Sequence, residues 1–329
     1  MLRRKEVVMD VKKQARHLLR KGFKMSASDL YVFPNQKGYE LSFRYHHDIT
    51  KYQQLTSDEG EKLILYLKYS AGMDISEKRK TQVGSTSIKV GEKLLRIRLS
   101  TVGDYLNRET LVIRFLQDNN EKNPKYHYVF DSQFKLLEKG ITKSGLYLFS
   151  GPTGAGKSTT MYRLATKINE QKNKQIITIE DPVEIESSRF LQFQVNEKIG
   201  LTYQSLVKVC LRHRPDILII GEIRDQETAK MVIRAALTGH LVFSTIHATD
   251  KESVMTRLRE FGIPEVELMQ SLRGIVYQEL LPVTTSNRYS VLYDLTMNGV
   301  KTDWEKSLQE AYEKEIITQE TYHLYSSRL

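Results

Sequence analysis

The sequence has very little cysteine and no long apolar run. Its one cysteine, Cys210, excludes a disulfide within the chain and any zinc site built from several cysteines, and it fits a reducing compartment. No apolar stretch approaches the roughly 18 residues expected of a membrane-spanning helix. The basic residues near the amino terminus precede no apolar core, so we expect no secretory signal there. Internal repeats and low-complexity tracts are also lacking.

The composition is otherwise that of a soluble globular protein. Of the 329 residues, 40% are hydrophobic and 27% are charged, which is enough for a substantial core and for two domains. The formal net charge is +10. Such a balance suits nucleic acid, an anionic membrane or nucleotide phosphates, but the basic residues are spread along the chain. No strip of alternating basic and aromatic residues stands out, so we expect no direct nucleic-acid binding.

The chain is organised around a glycine-rich loop between a strand and a helix. The loop runs Gly151, Pro152, Thr153, Gly154, Ala155, Gly156, Lys157, Ser158, with Thr159 opening the helix. This spacing is that of a phosphate-binding P-loop. Its glycines let backbone N–H groups turn inward, and the helix adds its positive amino-terminal end. Lys157 is expected to reach the outer phosphates, and the Ser158 hydroxyl to ligate Mg²⁺.

The residues before the P-loop predict a separate α/β domain. Residues 5–21 have the spacing of an amphipathic helix with a basic outer face, which we interpret as packing on its own domain. A strand pair follows, joined by a turn at 35–38, and then a helix from a capping box at Thr56 and Glu59 to about residue 73. Three further strand-like runs end near residue 116, so residues 1–117 are predicted to hold an antiparallel sheet.

The second half has the alternation of a parallel sheet with crossover helices. A polar stretch, residues 118–131, is predicted to be the linker between the domains. Strands are predicted at 146–150, 176–179, 217–220 and 241–246, within a core at 132–252. Residues 253–329 are predicted to be mostly helical, with one helix at 265–281, another at 303–314 and a short strand at 290–295 between them.

Reactive side chains follow the predicted parallel strands at their carboxyl ends, where open α/β sheets bind ligands. Glu180 and Asp181 follow one strand, Glu222 another and His247 a third. Glu180 is a candidate general base for water, and Asp181 a candidate partner for the metal or for orientation. Glu222 has the position of a Walker-B carboxylate, suited to hold Mg²⁺ through water or to polarise the attacking water.

Two further sets of residues are candidates for the site. His240 and His247 flank the last strand, and His247 is placed to sense the terminal phosphate. Phosphoryl transfer also gains from a cation at the transition state, often supplied by another domain or subunit. Arg98 and Arg114 in the first domain are candidates for that cation, as are Arg224 and Arg234 in the second.

These motifs resemble those of the secretion and pilus-assembly ATPases, also called traffic ATPases. Residues 176–184 (IITIEDPVE) are similar to the family's Asp box, 214–225 (RPDILIIGEIRD) to its Walker-B region and 238–250 (TGHLVFSTIHATD) to its His box. In the first domain, residues 26–34 and 72–80 are similar to its amino-terminal signatures. The lack of a tetracysteine insertion places the chain nearer the shorter competence or retraction branches.

The resemblance implies a PAS-like amino-terminal domain followed by a RecA-like P-loop ATPase domain. It implies a cytoplasmic homohexamer with ATP and Mg²⁺ between subunits, docked on a polytopic inner-membrane platform protein at the inner face of the membrane. The motor would assemble a type IV-like pseudopilus, in competence for DNA uptake. The resemblance also implies roles for individual residues. Lys157 and Ser158 would bind phosphate and Mg²⁺, and Glu180 and Glu222 would act on water and Mg²⁺. His240 and His247 would have the roles of the His box, and Arg98 and Arg114 would contact the nucleotide.

The sequence departs from the family pattern at several places, and three other functions stay open. Tyr31 stands where the family often has histidine, residues 81–85 lack a usual arginine, and Gln278-Glu279-Leu280 stands where Gln-Arg-Leu is usual. The alternatives are a pilus retraction motor, a nucleic-acid translocase or helicase, and a scaffold that binds nucleotide without hydrolysing it. The intact carboxylates argue against the scaffold.

Overall fold

A computed structural model describes residues 2–45, 48–90, 93–116, 127–172, 174–284 and 289–326. The chain forms two compact units, Met1–Asp118 and Asn119–Leu329. Most of the stretch predicted to be the linker lies outside the described residues. At its end, Tyr128 already pairs with Val291 of the second unit, so the last predicted linker residues are part of that unit.

The first unit is a six-stranded antiparallel sheet covered by two helices. The helices are α1 (Leu2–Lys24) and α2 (Ser57–Ser70). The strands are β1 (Asp29–Asn35), β2 (Gly38–Tyr45), β3 (Asp48–Leu55), β4 (Gln82–Val90), β5 (Lys93–Gly103) and β6 (Glu109–Leu116), in the spatial order β3-β2-β1-β6-β5-β4. The antiparallel sheet predicted from the sequence is confirmed.

Local sequence signals explain most of this unit. The capping box is confirmed: Thr56 accepts the Glu59 N–H, and the Glu59 carboxylate accepts the Thr56 N–H at 2.9 Å. Helix α1 buries Leu18 and Leu19 and exposes Arg16, so it is a surface helix packed on its own domain, as predicted. Strand β3 was not predicted, because it is an edge strand with seven partly or fully exposed residues and no apolar alternation.

The second unit is an eight-stranded sheet that is parallel at its centre. The strands are β7 (Gly145–Ser150), β8 (Ile176–Glu180), β9 (Leu191–Gln194), β10 (Ile217–Ile223), β11 (Leu241–Ile246), β12 (Leu272–Pro282), β13 (Tyr289–Met297) and β14 (Val300–Lys301). Their order is β14-β13-β12-β7-β11-β10-β8-β9, and the six strands from β12 to β9 run parallel. The four parallel strands predicted for this sheet are confirmed, and so is the short strand predicted at 290–295, which is part of β13.

Eight α-helices of the described residues accompany this sheet. They are α3 (Asp131–Gly140), α4 (Lys157–Lys172), α5 (Tyr203–Arg212), α6 (Gln226–Leu237), α7 (Lys251–Glu260), α8 (Glu265–Ser271), α9 (Trp304–Glu313) and α10 (Gln319–Ser326). Within the described ranges, no helix combines the length and the apolar character needed to cross a bilayer.

The helix predicted at 265–281 is wrong beyond Ser271. From Leu272 onward the chain forms β12, which pairs with β7 on one side and β13 on the other. Six consecutive residues of β12 are buried, and a short apolar run that is buried on both faces has no periodicity to separate strand from helix. The carboxyl-terminal part is therefore mixed rather than mostly helical, and one of its strands lies beside the P-loop strand.

Candidate functional site

The glycine-rich loop joins the central strand β7 to helix α4. Every residue of β7 is buried, and α4 begins at Lys157. Gly151, Gly154 and Gly156 have φ values of 138°, 84° and 82°, a region that side chains disfavour. At Gly151 space is also lacking, since a Cβ would lie 2.1 Å from the backbone oxygen of Gln278. The loop therefore needs glycine for its conformation and for its close approach to β12.

The first residues of α4 connect the loop to an acidic segment. The Lys157 ammonium donates to the carbonyl oxygens of Gly151 and Pro152, at 2.8 and 2.9 Å. Burial lowers its pKa, and the nearby carboxylates of Glu222 and Glu184 oppose that shift. The Ser158 hydroxyl donates to Glu184 Oε2 at 3.3 Å. Thr159, in the first turn of α4, is half-buried.

Glu222, on β10, is the centre of a charged group beside the loop. His247 Nε2 lies 3.3 Å from Glu222 Oε2, and the Arg224 guanidinium pairs with Glu222 Oε1. The same guanidinium lies 3.8 Å from Asp181 Oδ2. These bonds raise the pKa of Arg224. The structure thus brings together three predicted site residues from three strand ends: Glu222 contacts His247 directly and is joined to Asp181 through Arg224.

Glu180 lies apart from these exposed charges, in a buried hydrogen-bond network. Its carboxylate accepts the hydroxyls of Tyr162 and Thr178, the latter at 2.6 Å. Gln192 donates to the Tyr162 hydroxyl at 2.8 Å. Burial raises the pKa of Glu180. This carboxylate is enclosed by donors from its own fold and is only 5% exposed.

The structure does not bring His240 to the same place. His240 precedes β11 and His247 follows it, so at about 3.3 Å per residue the two lie roughly 20 Å apart. The His240 ring contacts the Thr238 hydroxyl at 3.0 Å and the Ala235 carbonyl at 3.3 Å. Within one copy of the chain, His240 lies at the amino edge of the sheet and His247 at the carboxyl edge. Asp216 also lies at the amino edge, where its carboxylate accepts bonds from Lys174 and from the Gln175 N–H.

The two candidate arginines of the first unit are neighbours. Arg98 on β5 and Arg114 on β6 face each other in the strand register. The Arg114 side chain pairs with Asp29 of β1, with 3.0 Å between Nε and Oδ1. Arg98 is half-buried and Arg114 is exposed. The two arginines therefore lie side by side on the antiparallel sheet, and Asp29 compensates the charge of Arg114.

Three further residues of the second unit contact the site. Glu184 accepts from Ser158; it belongs to an acidic cluster with Glu180 and Asp181 around Pro182, which the sequence indicates as functional without giving Glu184 a role of its own. The Tyr203 hydroxyl packs against Gly221, 2.9 Å from the position that a Cβ would take there. Burial raises the pKa of Tyr203, and the nearby carboxylates of Asp181 and Glu222 raise it further. Gln278, fully buried on β12, donates from Nε2 to the Ala155 carbonyl at 2.6 Å. The sequence indicated Gln278 only as part of Gln278-Glu279-Leu280, and the wrong helix prediction hid its place on a strand beside the P-loop.

Comparisons of the sequence and of the structure with known proteins both identify secretion and pilus ATPases as similar proteins. A family model described as "Type II/IV secretion system protein" matches residues 5–322. The competence protein ComGA of Streptococcus pneumoniae is 44% identical over 82% of this chain and 85% of its own length. ComGA of Bacillus subtilis is 38% identical over 82% of this chain and 76% of its own.

A solved structure with the same architecture carries a nucleotide. The pilus retraction motor PilT, crystallised with bound ADP, superposes with a TM-score of 0.72 at 26% identity, covering 94% of this chain and 96% of its own. The match extends over both units, and it assigns the second unit a RecA-like fold. Taken with the family match, these similarities mean that the chain is a P-loop ATPase that belongs to the type II/IV secretion system protein family.

Proposed function

We propose that this chain is the motor ATPase that assembles a type IV-like pseudopilus used for DNA uptake. The support is its high identity to two proteins named for competence. In this proposal it works as a homohexamer at the cytoplasmic face of the membrane, held there by a polytopic platform protein. The proposed parts of the chain are an amino-terminal domain (1–117), a linker within 118–131 whose last residues join the second unit, an ATPase core (132–252) and a carboxyl-terminal part (253–329).

One observation carries the enzymatic part of the proposal. The P-loop, Glu184, Glu222 and His247 converge at the carboxyl edge of one parallel sheet, which is where such sheets bind nucleotides. The loop fits a phosphate chain, because its glycines adopt conformations that curl the backbone around an anion. The Lys157 ammonium holds two loop carbonyls, and we propose that it exchanges them for phosphate oxygens when ATP binds.

The residues around Ser158 fit a magnesium ion. Its hydroxyl and the carboxylates of Glu184 and Glu222 are the hard oxygen donors that Mg²⁺ prefers. Among the residues described by the structure, no three His, Cys, Asp or Glu side chains converge as a metal site, so we propose that Ser158 holds the ion directly and Glu222 through water. Bound Mg²⁺ would neutralise charge on the phosphates.

The geometry favours Glu184 over Glu180 as the residue that prepares water for attack. Glu184 is exposed and beside Ser158, whereas Glu180 is buried and already accepts two hydroxyls. We propose that Glu184 takes the proton of the attacking water as the water oxygen bonds to the γ-phosphorus and the bond from that phosphorus to the bridging oxygen breaks, which releases ADP. Glu180 then acts as a positioning residue that anchors the loop carrying Asp181 and Glu184.

The remaining candidates have roles that follow from their places. His247 is proposed to respond to the terminal phosphate, since it contacts Glu222 through the ring nitrogen Nε2. Arg98 and Arg114 are proposed to reach a nucleotide across domains or subunits of the ring. His240 has no proposed contact with a nucleotide bound in its own subunit. Glu222→Gln is expected to keep ATP binding and to lose turnover.

The first experiment measures Mg-ATP hydrolysis and particle mass, with and without single-stranded DNA. Turnover in a particle of six times the 38.2 kDa subunit mass, unaffected by DNA, supports the motor. Hydrolysis that rises many-fold with DNA would favour a translocase, and binding without hydrolysis would favour a scaffold.

A second experiment separates assembly from retraction, because the similarity to PilT also favours a retraction motor. The gene is deleted in its host, and surface filaments and DNA uptake are measured. Loss of both supports assembly. Persisting or longer filaments would support retraction instead.

A further inference from the structure

Residue Gln278 contacts the P-loop at two points. Its strand, β12, runs parallel to β7 with Tyr277 opposite Ser150, which places the next residue of β12 level with the start of the loop. The Gln278 backbone oxygen lies against Gly151, 2.1 Å from the place of a Cβ. Its side-chain Nε2 donates to the Ala155 carbonyl at 2.6 Å. One residue therefore contacts both the first and the fifth residue of the loop.

The stability of the fold does not explain a glutamine at this position. The side chain is 0% exposed, and its Oε1 accepts no hydrogen bond from any group that the structure describes. An unpaired buried acceptor costs free energy of the same order as one neutral hydrogen bond contributes. The bond to Ala155 is thus offset by the unpaired Oε1. The residue is better explained by what its donor does to the loop.

The donor sets the orientation of one peptide group in the loop. A trans peptide is planar, and its C=O and N–H point in opposite directions. Because Gln278 holds the Ala155 carbonyl toward β12, the N–H of Gly156 in the same peptide must point away from β12. Gly156 has a φ of 82°, and its carbonyl is held by the Thr160 N–H at 3.0 Å. Because glycine tolerates a wide range of φ, the peptide on its amino side can still turn if the Gln278 bond is lost.

We propose that Gln278 is a positioning residue for phosphate binding, which directs the Gly156 N–H into the loop where a nucleotide phosphate accepts it. The inference rests on the proposed nucleotide site. It assigns a role to a residue that lies outside the P-loop, the Asp box, the Walker-B region and the His box.

The test compares Gln278→Met with a matched buried glutamine. Gln133 is 6% exposed in the same unit, donates to Ser307 and accepts the Tyr293 N–H, both at 3.1 Å. We expect Gln278→Met to weaken ADP binding and raise the KM for ATP by about tenfold or more, since a bond to a charged phosphate is lost. The kcat should change much less. Gln133→Met should lower the melting temperature while its ADP affinity stays within about twofold of wild type.

A second variant adds a readout that a merely structural residue would not move. In Gln278→Glu the ionised carboxylate cannot donate to Ala155, but the protonated one can. We expect its ADP affinity, taken as a ratio to wild type at each pH, to recover as the pH falls from about 8 to about 5. If Gln278→Met does not fold, this ratio decides the question.

The outcomes separate the inference from the nucleotide site itself. ADP affinity in Gln278→Met equal to that of wild type, or a Gln278→Glu ratio that stays equally low at every pH down to about 5, would overturn the role of Gln278. A wild-type chain that binds no ADP would instead contradict the whole nucleotide site.

Discussion

The roles assigned to Glu180 and Glu184 give the most decisive prediction. The same substitution should lower turnover at Glu184 and change the pH dependence of stability at Glu180. Replacing each by glutamine removes the charge and keeps the size. Glu184 is exposed and contacts Ser158, so Glu184→Gln should leave unfolding free energy within about 0.5 kcal/mol of wild type. Its turnover should fall by about 10²–10⁴, the contribution of a general base, or roughly 3–5 kcal/mol of transition-state free energy.

Glu180→Gln should act mainly on the pH dependence of stability. Burial raises the pKa of Glu180 above its usual 4.5, so the folded state binds this proton more tightly than the unfolded state. Glu180 therefore makes the free energy of unfolding fall as the pH rises from the unfolded pKa to the folded one, by about 1.4 kcal/mol for each tenfold difference in proton affinity. In Glu180→Gln this decrease of the unfolding free energy with pH should disappear, and turnover should stay within about tenfold of wild type.

Urea unfolding at several pH values and steady-state hydrolysis measure both effects. Glu197→Gln, an exposed carboxylate elsewhere in the unit, is the control and should change neither. The reasoning is refuted if Glu184→Gln hydrolyses ATP at the wild-type rate while Glu180→Gln loses turnover, because Glu180 would then be the base despite its burial.

Three other changes test separate parts of the structure. Lys157→Ala should abolish measurable ADP and ATP binding in a titration, and tight ATP binding would count against the P-loop role. Gly151→Ala should destabilise the fold by at least about 2 kcal/mol in urea and weaken ADP binding, because its Cβ would overlap the Gln278 carbonyl at a positive φ; wild-type stability would contradict that clash. In the first unit, Lys68 is fully buried and pairs with Glu109, so Lys68→Met should cost about 3–5 kcal/mol by leaving a buried carboxylate unpaired. The double change Lys68→Met/Glu109→Met should recover most of that loss, and a double variant as unstable as the single one would argue against the pair.

Local chemistry was sufficient to predict the P-loop, the capping box and the central parallel strands. Each depends on residues close together in the chain: glycines at fixed spacing before Lys157, Thr56 three residues before Glu59, and apolar runs long enough to fill a buried strand. The convergence of Glu222 and His247 was also predictable, because the carboxyl ends of neighbouring parallel strands meet at one edge.

Only the tertiary structure decided which of the candidate side chains reach the site and which segments complete it. His240 and His247 belong to one sequence motif, yet an extended strand separates them by its full length. Glu180 and Glu184 stand in one acidic cluster, but only one is enclosed by Tyr162 and Thr178. Strand β12 forms because β7 and β13 offer it hydrogen-bonding partners from distant parts of the chain. Local sequence does not contain that pairing, so the support that Gln278 gives the P-loop appears only when the strands are assembled.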